Sequence, residues 1–222
     1  YHDMGLIGGF LAPLLLGCPL VLMSPFDWVR APYRLLQAVS RYQGTISWLP
    51  NFAYNFCAQK IQDRQLEGLD LSSWRAVINC SEPMFWRSME MFRDRFKPYG
   101  LRASALATSY AAAENVFAMT QGGIKAPVRL DRISQNAYLA KRMAQPAASE
   151  EPALTMVSAG PAIRDTRLCI LDDHHHALPD RHIGEIALQS NCMLTGYYHR
   201  TDATQKSFHQ GWFLTGDLGY IA

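Results

Sequence analysis

Concentrated charge, paired cysteines and the glycine signatures of familiar catalytic loops are all missing from this sequence. Its 21 Lys and Arg stand against 19 Asp and Glu, a formal net charge of +2, and they are spread along the chain without a basic stripe. The field that holds a phosphate backbone is lacking, so no nucleic acid partner is expected. The five cysteines, Cys18, Cys57, Cys80, Cys169 and Cys192, include no C-x-x-C pair. A thiol redox motif is thereby excluded, and a reducing cytoplasm is the expected location. Neither G-x-G-x-x-G nor G-x-S-x-G occurs, which disfavours a dinucleotide-binding dehydrogenase and a serine hydrolase. With no internal repeat and no low-complexity tract, a solenoid is unsupported.

The composition that remains, 222 residues of which 49% are hydrophobic and 18% charged, is that of a globular chain able to bury a core. Residues 6–23 form an apolar stretch as long as a minimal membrane span. Pro13, Gly17 and Pro19 interrupt it, and no cationic segment precedes it. The expectation is therefore a buried helix-turn-strand unit and no transmembrane span. Tyr1 is not an initiating Met, and Ala222 follows closely on Gly216-Asp217-Leu218-Gly219. Both ends are read as cut from a longer protein.

Hydrophobic periodicity predicts helices at 3–16, 31–42, 52–63 and 85–96, alternating with strands at 20–23, 45–48, 76–79 and 103–107. Such alternation is the pattern of a parallel sheet covered by helices. Asp27, Asn51 and Ser88 fall where capping or first-turn residues belong. Residues 121–152, rich in Gly, Pro, Ala, Ser and charge, read as an insertion-like connection enclosing a strand at 128–132 and a helix at 134–143. Strands follow at 154–158, 167–171, 184–189, 212–215 and 218–221. The expected fold is thus α/β, a partial parallel sheet flanked by helices followed by a small antiparallel partial barrel. The corresponding divisions are 1–120, 121–152 and 153–222.

Four polar clusters stand at predicted strand or helix ends: Tyr1-His2-Asp3-Met4-Gly5, Asn79-Cys80-Ser81-Glu82-Pro83, Ser109-Tyr110-Ala111-Ala112-Ala113-Glu114-Asn115 and 212–219. In open α/β sheets ligands gather at strand carboxyl ends. The third cluster offers a ring for a purine, small residues that admit a phosphate, and a carboxylate for Mg²⁺. A strand-to-helix turn with Glu114 in solvent is the alternative. Asp217 has the chemistry to accept both ribose hydroxyls, or to sit in a Gly-Asp hairpin turn.

In this order and spacing the four clusters resemble core motifs of the adenylate-forming acyl-activating superfamily. The run Gly184-Glu185-Ile186-Ala187-Leu188-Gln189-Ser190, followed by Thr195-Gly196-Tyr197-Tyr198, resembles a further one. Three more stretches are most similar to fatty acyl-AMP ligases: His2-Asp3-Met4-Gly5-Leu6-Ile7-Gly8, Pro50-Asn51-Phe52-Ala53-Tyr54 and Leu69-Asp70-Leu71-Ser72-Ser73-Trp74-Arg75.

The resemblance implies ATP and Mg²⁺ as cofactors and a fatty or other carboxylic acid as substrate. It implies acyl-AMP and pyrophosphate as products, and an acyl carrier protein or CoA as acceptor. Tyr110 would stack on adenine, with Ser109 and Ala111 beside it and Ser81, Glu82 and Pro83 lining the nucleotide's other side. Ala113 would adjoin the α-phosphate, Glu114 hold Mg²⁺ and Asp217 grip the ribose. His2 would stand at the junction of acyl group and phosphate, with Met4, Gly5, Asn51 and Tyr54 near the acyl pocket. The superfamily's phosphate loop would precede Tyr1 and its catalytic Lys domain would follow Ala222, so the isolated chain is expected to be inactive. A non-catalytic acyl- or nucleotide-binding or interaction module is the competing reading.

Two positions depart from the pattern: Ala111 stands where most relatives have Gly, and Cys80 where fatty acyl-AMP ligases usually have Gly. A Cβ at positive φ costs on the order of 1 kcal/mol, so a shifted loop and an altered substrate range are expected if either site needs that conformation. His174-His175-His176, with Asp172, Asp173 and His182, carries metal-binding residue types. Consecutive side chains in a turn diverge, so no metal is expected there. Phe85, Trp86, Met89 and Phe92 follow helical spacing and are expected in the core.

Overall fold

The computed structural model describes residues 2–124 and 126–222. Tyr1, which opens the first polar cluster, lies outside them. Two compact units are present, neither continuous in sequence. The first comprises residues through Ala113 with Phe117–Arg129 and Val157–Pro161; the second comprises Glu114–Val116, Leu130–Met156 and Ala162–Ala222.

In the first unit a π-helical stretch, Met4–Leu11, runs into α1 (Ala12–Leu15). There follow α2 (Pro25–Arg30), α3 (Tyr33–Tyr42), β1 (Ile46–Leu49), α4 (Asn51–Lys60), β2 (Ala76–Asn79), α5 (Trp86–Phe96) and β3 (Leu106–Thr108). The three strands form a parallel sheet in the order β1-β2-β3, which requires crossover segments, here containing α4 and α5. All four residues of β2 are buried, as in a central strand covered on both faces.

The larger core holds Tyr54, Trp74, Phe92 and Phe96, all with no exposed surface. Phe92 is its centre, with ring centroids 4.9 Å from Tyr54 and 4.8 Å from Phe96. The Tyr54 hydroxyl donates to the Val77 carbonyl of β2 at 3.0 Å, satisfying a polar group that burial would otherwise strand. A smaller cluster, Ala76, Ile78 and Ala107 against Trp48, forms separately. There Trp48 packs on Phe117 at 4.7 Å. Gly8 lets the π-helical stretch approach these rings, since a Cβ would stand 2.8 Å from Phe117 Cε1 and 3.2 Å from Trp48 Nε1.

The expected strand at 20–23 is not formed, nor is the buried helix-turn-strand unit. Leu15, Leu16 and Leu22 are 84%, 76% and 66% exposed. A short apolar run takes strand form from a partner ladder, and none of the three sheets includes this one. Residues 103–107 also differ: a 3₁₀ turn occupies Ala103–Ala105 before β3. Phe85 is 60% exposed, whereas Met89 and Phe92 are fully buried. It precedes α5 as the N-cap residue, outside the periodic face. No helix among the described residues is long and apolar enough to cross a membrane.

The second unit contains β4 (Leu130–Ser134), α6 (Gln135–Lys141) and most of β5 (Ala153–Val157). It continues with β6 (Thr166–Leu171), β7 (Gly184–Ser190), α7 (Thr201–Lys206), β8 (Phe208–His209) and β9 (Trp212–Gly219). β4 pairs with β5, and β6-β7-β9-β8 form a curled antiparallel half-barrel. The expected α/β class with a parallel sheet and a partial barrel is therefore present. The two strands expected at 212–215 and 218–221 are one, β9, for a reason found in its backbone and described below.

Candidate functional site

The last residues of the three parallel strands are in register, Leu49 beside Asn79 and Asn79 beside Thr108. Loops leaving them start at one level of one sheet edge. The ladder reaches into those loops: the Cys80 N–H donates to the Leu49 carbonyl at 3.2 Å and the Ser109 N–H to the Asn79 carbonyl at 3.0 Å. Asn51, the Ser81-Glu82-Pro83 loop and Ser109-Tyr110-Ala111 thus emerge together at the carboxyl end of the sheet.

Asn51 fixes the middle loop at both ends. Its Oδ1 accepts from Asn79 Nδ2 at 3.1 Å and from the Phe85 N–H at 3.0 Å, and its Nδ2 donates to Ser88 Oγ at 3.1 Å. Asn51 is 5% exposed and Asn79 not at all. Between those anchors, Glu82 Oε1 accepts from the Phe52 N–H in the first turn of α4. A carboxylate there suits the helix's positive end. Asn51 and Tyr54, expected near an acyl pocket, direct their polar atoms to Ser88, Asn79, Phe85 and Val77.

Ser109 is buried, its Oγ donating to the Thr120 carbonyl at 2.8 Å. The Tyr110 N–H donates to Thr120 Oγ1 at 3.0 Å, and that hydroxyl donates to the Ala159 carbonyl at 2.7 Å. The Tyr110 carbonyl accepts from the Met119 N–H at 2.8 Å. Ala111 pairs with Ala118, and the Ala112 N–H donates to the Phe117 carbonyl at 2.9 Å. Residues 109–112 and 117–120 therefore run side by side in a narrow ladder, and the 3₁₀ turn Ala113–Asn115 lies between them in sequence. The half-buried Tyr110 backbone is fixed on both sides.

Positive φ does not fall on Ala111 or Cys80, so neither Cβ carries the expected strain. It falls on Ser81, at +70°, and on Val116, at +63°. Cys80 is fully buried. Burial raises its thiol pKa, the Asp3 charge adds to the rise, and the Ser81 hydroxyl opposes it. Asp3 acts on Cys80 from the turn before the π-helical stretch, where its Oδ1 accepts from the Met4 N–H at 2.8 Å. His2 is exposed, Nδ1 standing 2.6 Å from Asp3 Oδ1. Met4 is half-buried, and at Gly5 nothing lies within 4 Å of where a Cβ would be.

In the second unit, Glu114 is half-buried and its Oε1 accepts from the Tyr197 hydroxyl at 2.8 Å. Its backbone carbonyl accepts from the Leu194 N–H at 2.8 Å. The alternative of a carboxylate simply in solvent does not hold.

Asp217 lies on a bulge of β9. Leu214 pairs with Ala187 and Leu218 with Glu185, which leaves 215–217 opposite Ile186 alone. Thr215 Oγ1 fastens the bulge, donating to the Ile186 carbonyl at 2.7 Å and accepting the Asp217 N–H at 3.1 Å. The Gly216 N–H donates to Glu185 Oε1 at 2.8 Å, and Gly216 takes φ +75°, which its missing Cβ allows. The bulge re-aims Asp217 into an exposed position. A Gly-Asp hairpin turn is thereby excluded, because the strand runs through.

A family model described as AMP-binding enzyme matches residues 1–198. The chain belongs to the AMP-binding enzyme family. It is 35% identical to the medium-chain-fatty-acid–[acyl-carrier-protein] ligase JamA of Moorena producens, over 100% of this chain and 39% of that protein. It is 31% identical to the probable long-chain-fatty-acid–AMP ligase FadD30 of Mycobacterium tuberculosis, over 100% of this chain and 40% of that one. The fatty acyl-adenylate ligase from L. pneumophila, solved in complex with acyl adenylate and pyrophosphate, superposes with a TM-score of 0.93 at 32% identity. That match covers 100% of this chain and 40% of that one. The chain spans about two fifths of the length of the relatives it matches.

Three residues of this AMP-binding family member carry structural weight that the sequence reading left without a role: Thr120, Tyr197 and Thr215. Tyr197 belongs to the run Thr195-Gly196-Tyr197-Tyr198, and the polar hydroxyl after Gly196 is its signal. In the histidine segment, Asp172 Oδ1 accepts from the His174 and His176 N–H groups, both at 2.8 Å, so it caps the turn. Among the described residues no three His, Cys, Asp or Glu side chains converge as metal ligands.

Proposed function

We propose that the protein carrying this chain activates a carboxylic acid of the fatty class with ATP, forming an acyl-adenylate and releasing pyrophosphate. The carboxylate attacks the α-phosphorus, and the bond to the β,γ-diphosphate breaks. A thiol of an acyl carrier protein or of CoA then attacks the acyl carbon, the bond to the phosphate breaks, and the thioester forms with release of AMP and the thiol proton. The observation that carries this reading is the level exit of three loops from one parallel edge. A ring (Tyr110), a tight polar turn (Ser81, Glu82, Pro83) and small residues (Ala111, Ala113) emerge there. In this reading Tyr110 stacks on adenine with Ser109 behind it, and the 81–83 turn borders the base. Ala113 adjoins the α-phosphate and Asp217 takes the ribose hydroxyls. His2 stands at the acyl–phosphate junction, and Met4 and Gly5 border the acyl group. Asn51 and Tyr54 serve the acyl pocket as parts of its wall, since their polar atoms are engaged elsewhere.

Mg²⁺ is proposed at Glu114. The donor set fits, because this metal is commonly held by one or two carboxylates together with substrate phosphates. When bound it would neutralise charge on the nucleotide. The chain's own share is to hold that carboxylate in a fixed direction and the base and ribose in place, so catalysis is by positioning. A cytoplasmic location is proposed from the five unpaired thiols.

Mass spectrometry of the products from full-length protein, ATP and a panel of carboxylic acids tests the reaction. An acyl-adenylate or its thioester is expected from fatty acids. Ligand binding without product would favour the non-catalytic module. Glu114→Ala and Asp217→Ala should each lower ATP–pyrophosphate exchange by about 100-fold or more, and near-normal rates would remove the roles. The 222 residues alone should give no exchange.

A further inference from the structure

Tyr197 has no part in the roles above, yet its hydroxyl ends on the most consequential carboxylate among them. The phenol donates to Glu114 Oε1 at 2.8 Å. Its own backbone is fixed: the Tyr197 N–H donates to Thr204 Oγ1 at 2.9 Å, and that hydroxyl donates to the Arg200 carbonyl at 3.0 Å. The neighbouring Tyr198 has the same side chain and the opposite fate, being 88% exposed with its ring on His199 at 4.0 Å. General affinity of tyrosine for this loop therefore does not account for the inward turn of Tyr197.

The same segment holds the turn that bears Glu114 from several points. The Leu194 N–H reaches the Glu114 carbonyl at 2.8 Å. Asn115 Oδ1 accepts from Ser190 Oγ, and Cys192 Sγ stands 3.4 Å from the same oxygen. Main chain and side chain of the turn are thus gripped by residues 190–197, with Tyr197 the contact that reaches the carboxylate itself.

A glutamate has three rotatable bonds, and the direction of its carboxylate is free unless something fixes it. One O–H donor on Oε1 sets the plane of the group and turns the second oxygen to a defined direction. A phenol, with its ordinary pKa near 10, is a donor at neutral pH. Outer partners of this kind commonly change metal affinity 10- to 100-fold when removed.

We infer that Tyr197 is the positioning residue for Glu114, its hydroxyl fixing which carboxylate oxygen is presented to the metal–nucleotide complex. This inference rests on the proposed role of Glu114 toward Mg²⁺.

The test uses full-length protein and the variants Tyr197→Phe, Tyr198→Phe and Glu114→Gln. Two readouts are taken: the Mg²⁺ dependence of ATP–pyrophosphate exchange, and Mn²⁺ binding in the presence of ATP, followed by the free-ion electron paramagnetic resonance signal. Tyr197→Phe keeps the ring and its packing. It should raise the half-saturating metal concentration about 10-fold in both readouts, with most of the rate recovered at high Mg²⁺; Tyr198→Phe should match the parent. A purely structural role would lower activity at every metal concentration without moving half-saturation. Half-saturation within twofold of the parent for Tyr197→Phe, while Glu114→Gln loses metal binding and exchange, overturns the inference and leaves the Glu114 role standing. Glu114→Gln that binds Mn²⁺ and turns over normally overturns the metal role, and this inference with it.

Discussion

Replacing Asn51 with Leu should cost stability far beyond the loss of one polar residue. The substitution keeps side-chain size close but removes the acceptor shared by the Phe85 N–H, at 3.0 Å, and Asn79 Nδ2, at 3.1 Å. Asn79 is fully buried, and its Oδ1 has no hydrogen-bond partner among the described residues, so its amide would lose the bond that holds it. Each stranded buried donor costs about 1–3 kcal/mol, which for two gives roughly 4 kcal/mol. Against a domain stability of about 5–15 kcal/mol this is a large fraction. With a urea slope near 2 kcal/mol per M, the unfolding midpoint should fall by about 2 M. Equilibrium unfolding followed by tryptophan fluorescence measures it. Ser88→Ala is the comparison: it removes the acceptor of the buried donor Asn51 Nδ2 and of the part-buried Asn55 Nδ2 but strands no backbone donor, and should cost about 2 kcal/mol. A midpoint shift below about 0.5 M for Asn51→Leu, or one no larger than that of Ser88→Ala, would refute Asn51 as the fastening of the 80–84 loop.

Other consequences follow from single contacts. Thr215→Val removes the hydroxyl that fastens the bulge and should raise the KM for ATP about 5-fold, on a loss near 1 kcal/mol, with kcat less affected; an unchanged KM would separate the bulge from the nucleotide. Burial pushes the Cys57 thiol up to about 12, so at pH 8 only about one part in 10,000 is thiolate. Iodoacetamide and peptide mass mapping should find Cys57 unlabelled while exposed Cys18 is modified, and early labelling of Cys57 would contradict its packing. Burial, with Cys80 adding to it, raises the Tyr54 pKa well above the usual phenol value. A raised folded pKa means that the stability is whole below the unfolded value near 10 and is lost as pH rises beyond it. Tyr54→Phe should therefore flatten the alkaline fall in melting temperature, at a cost near 1 kcal/mol at neutral pH for the lost bond to Val77; an alkaline limb that does not change would assign it to other groups.

Where neighbours in sequence decide the structure, the fold was legible. β2 was read at its observed limits, 76–79, because an apolar run bounded by polar residues has few other places to go. α5 lies within a residue of the expected 85–96, since Trp86, Met89 and Phe92 follow helical spacing. The run at 20–23 misled because apolar composition says that a segment wants cover, not that a partner strand is in the chain to supply it. The short helix α2 was missed: Pro25 starts it and Ala31, at φ −144°, ends it after six residues, too few for a period to show.

The site residues were legible as types, and their directions were not. Asn51 and Tyr54 carry groups suited to a ligand, yet a helix that packs beside the buried strand β2 must satisfy its own neighbours first, and both spend their polar atoms there. Gly216-Asp217 reads locally as a hairpin turn; only Glu185 and Ile186, some thirty residues earlier, make it a bulge. Backbone strain sharpens the point. Gln43 and Arg142 take positive φ as ordinary ends of α3 and α6. Ser81 and Val116 have no such excuse, and a β-branched residue in that region is unusual. One follows the end of β2 inside the 80–83 turn, and the other stands two residues after Glu114, closing the turn that the Ala112–Phe117 bond fastens. Such strain costs about 1–3 kcal/mol and persists only where surrounding contacts over-determine the backbone. The hydrogen bonds on Glu82, Tyr110 and Glu114 supply that over-determination, so these two positive-φ positions stand beside residues proposed to meet the nucleotide.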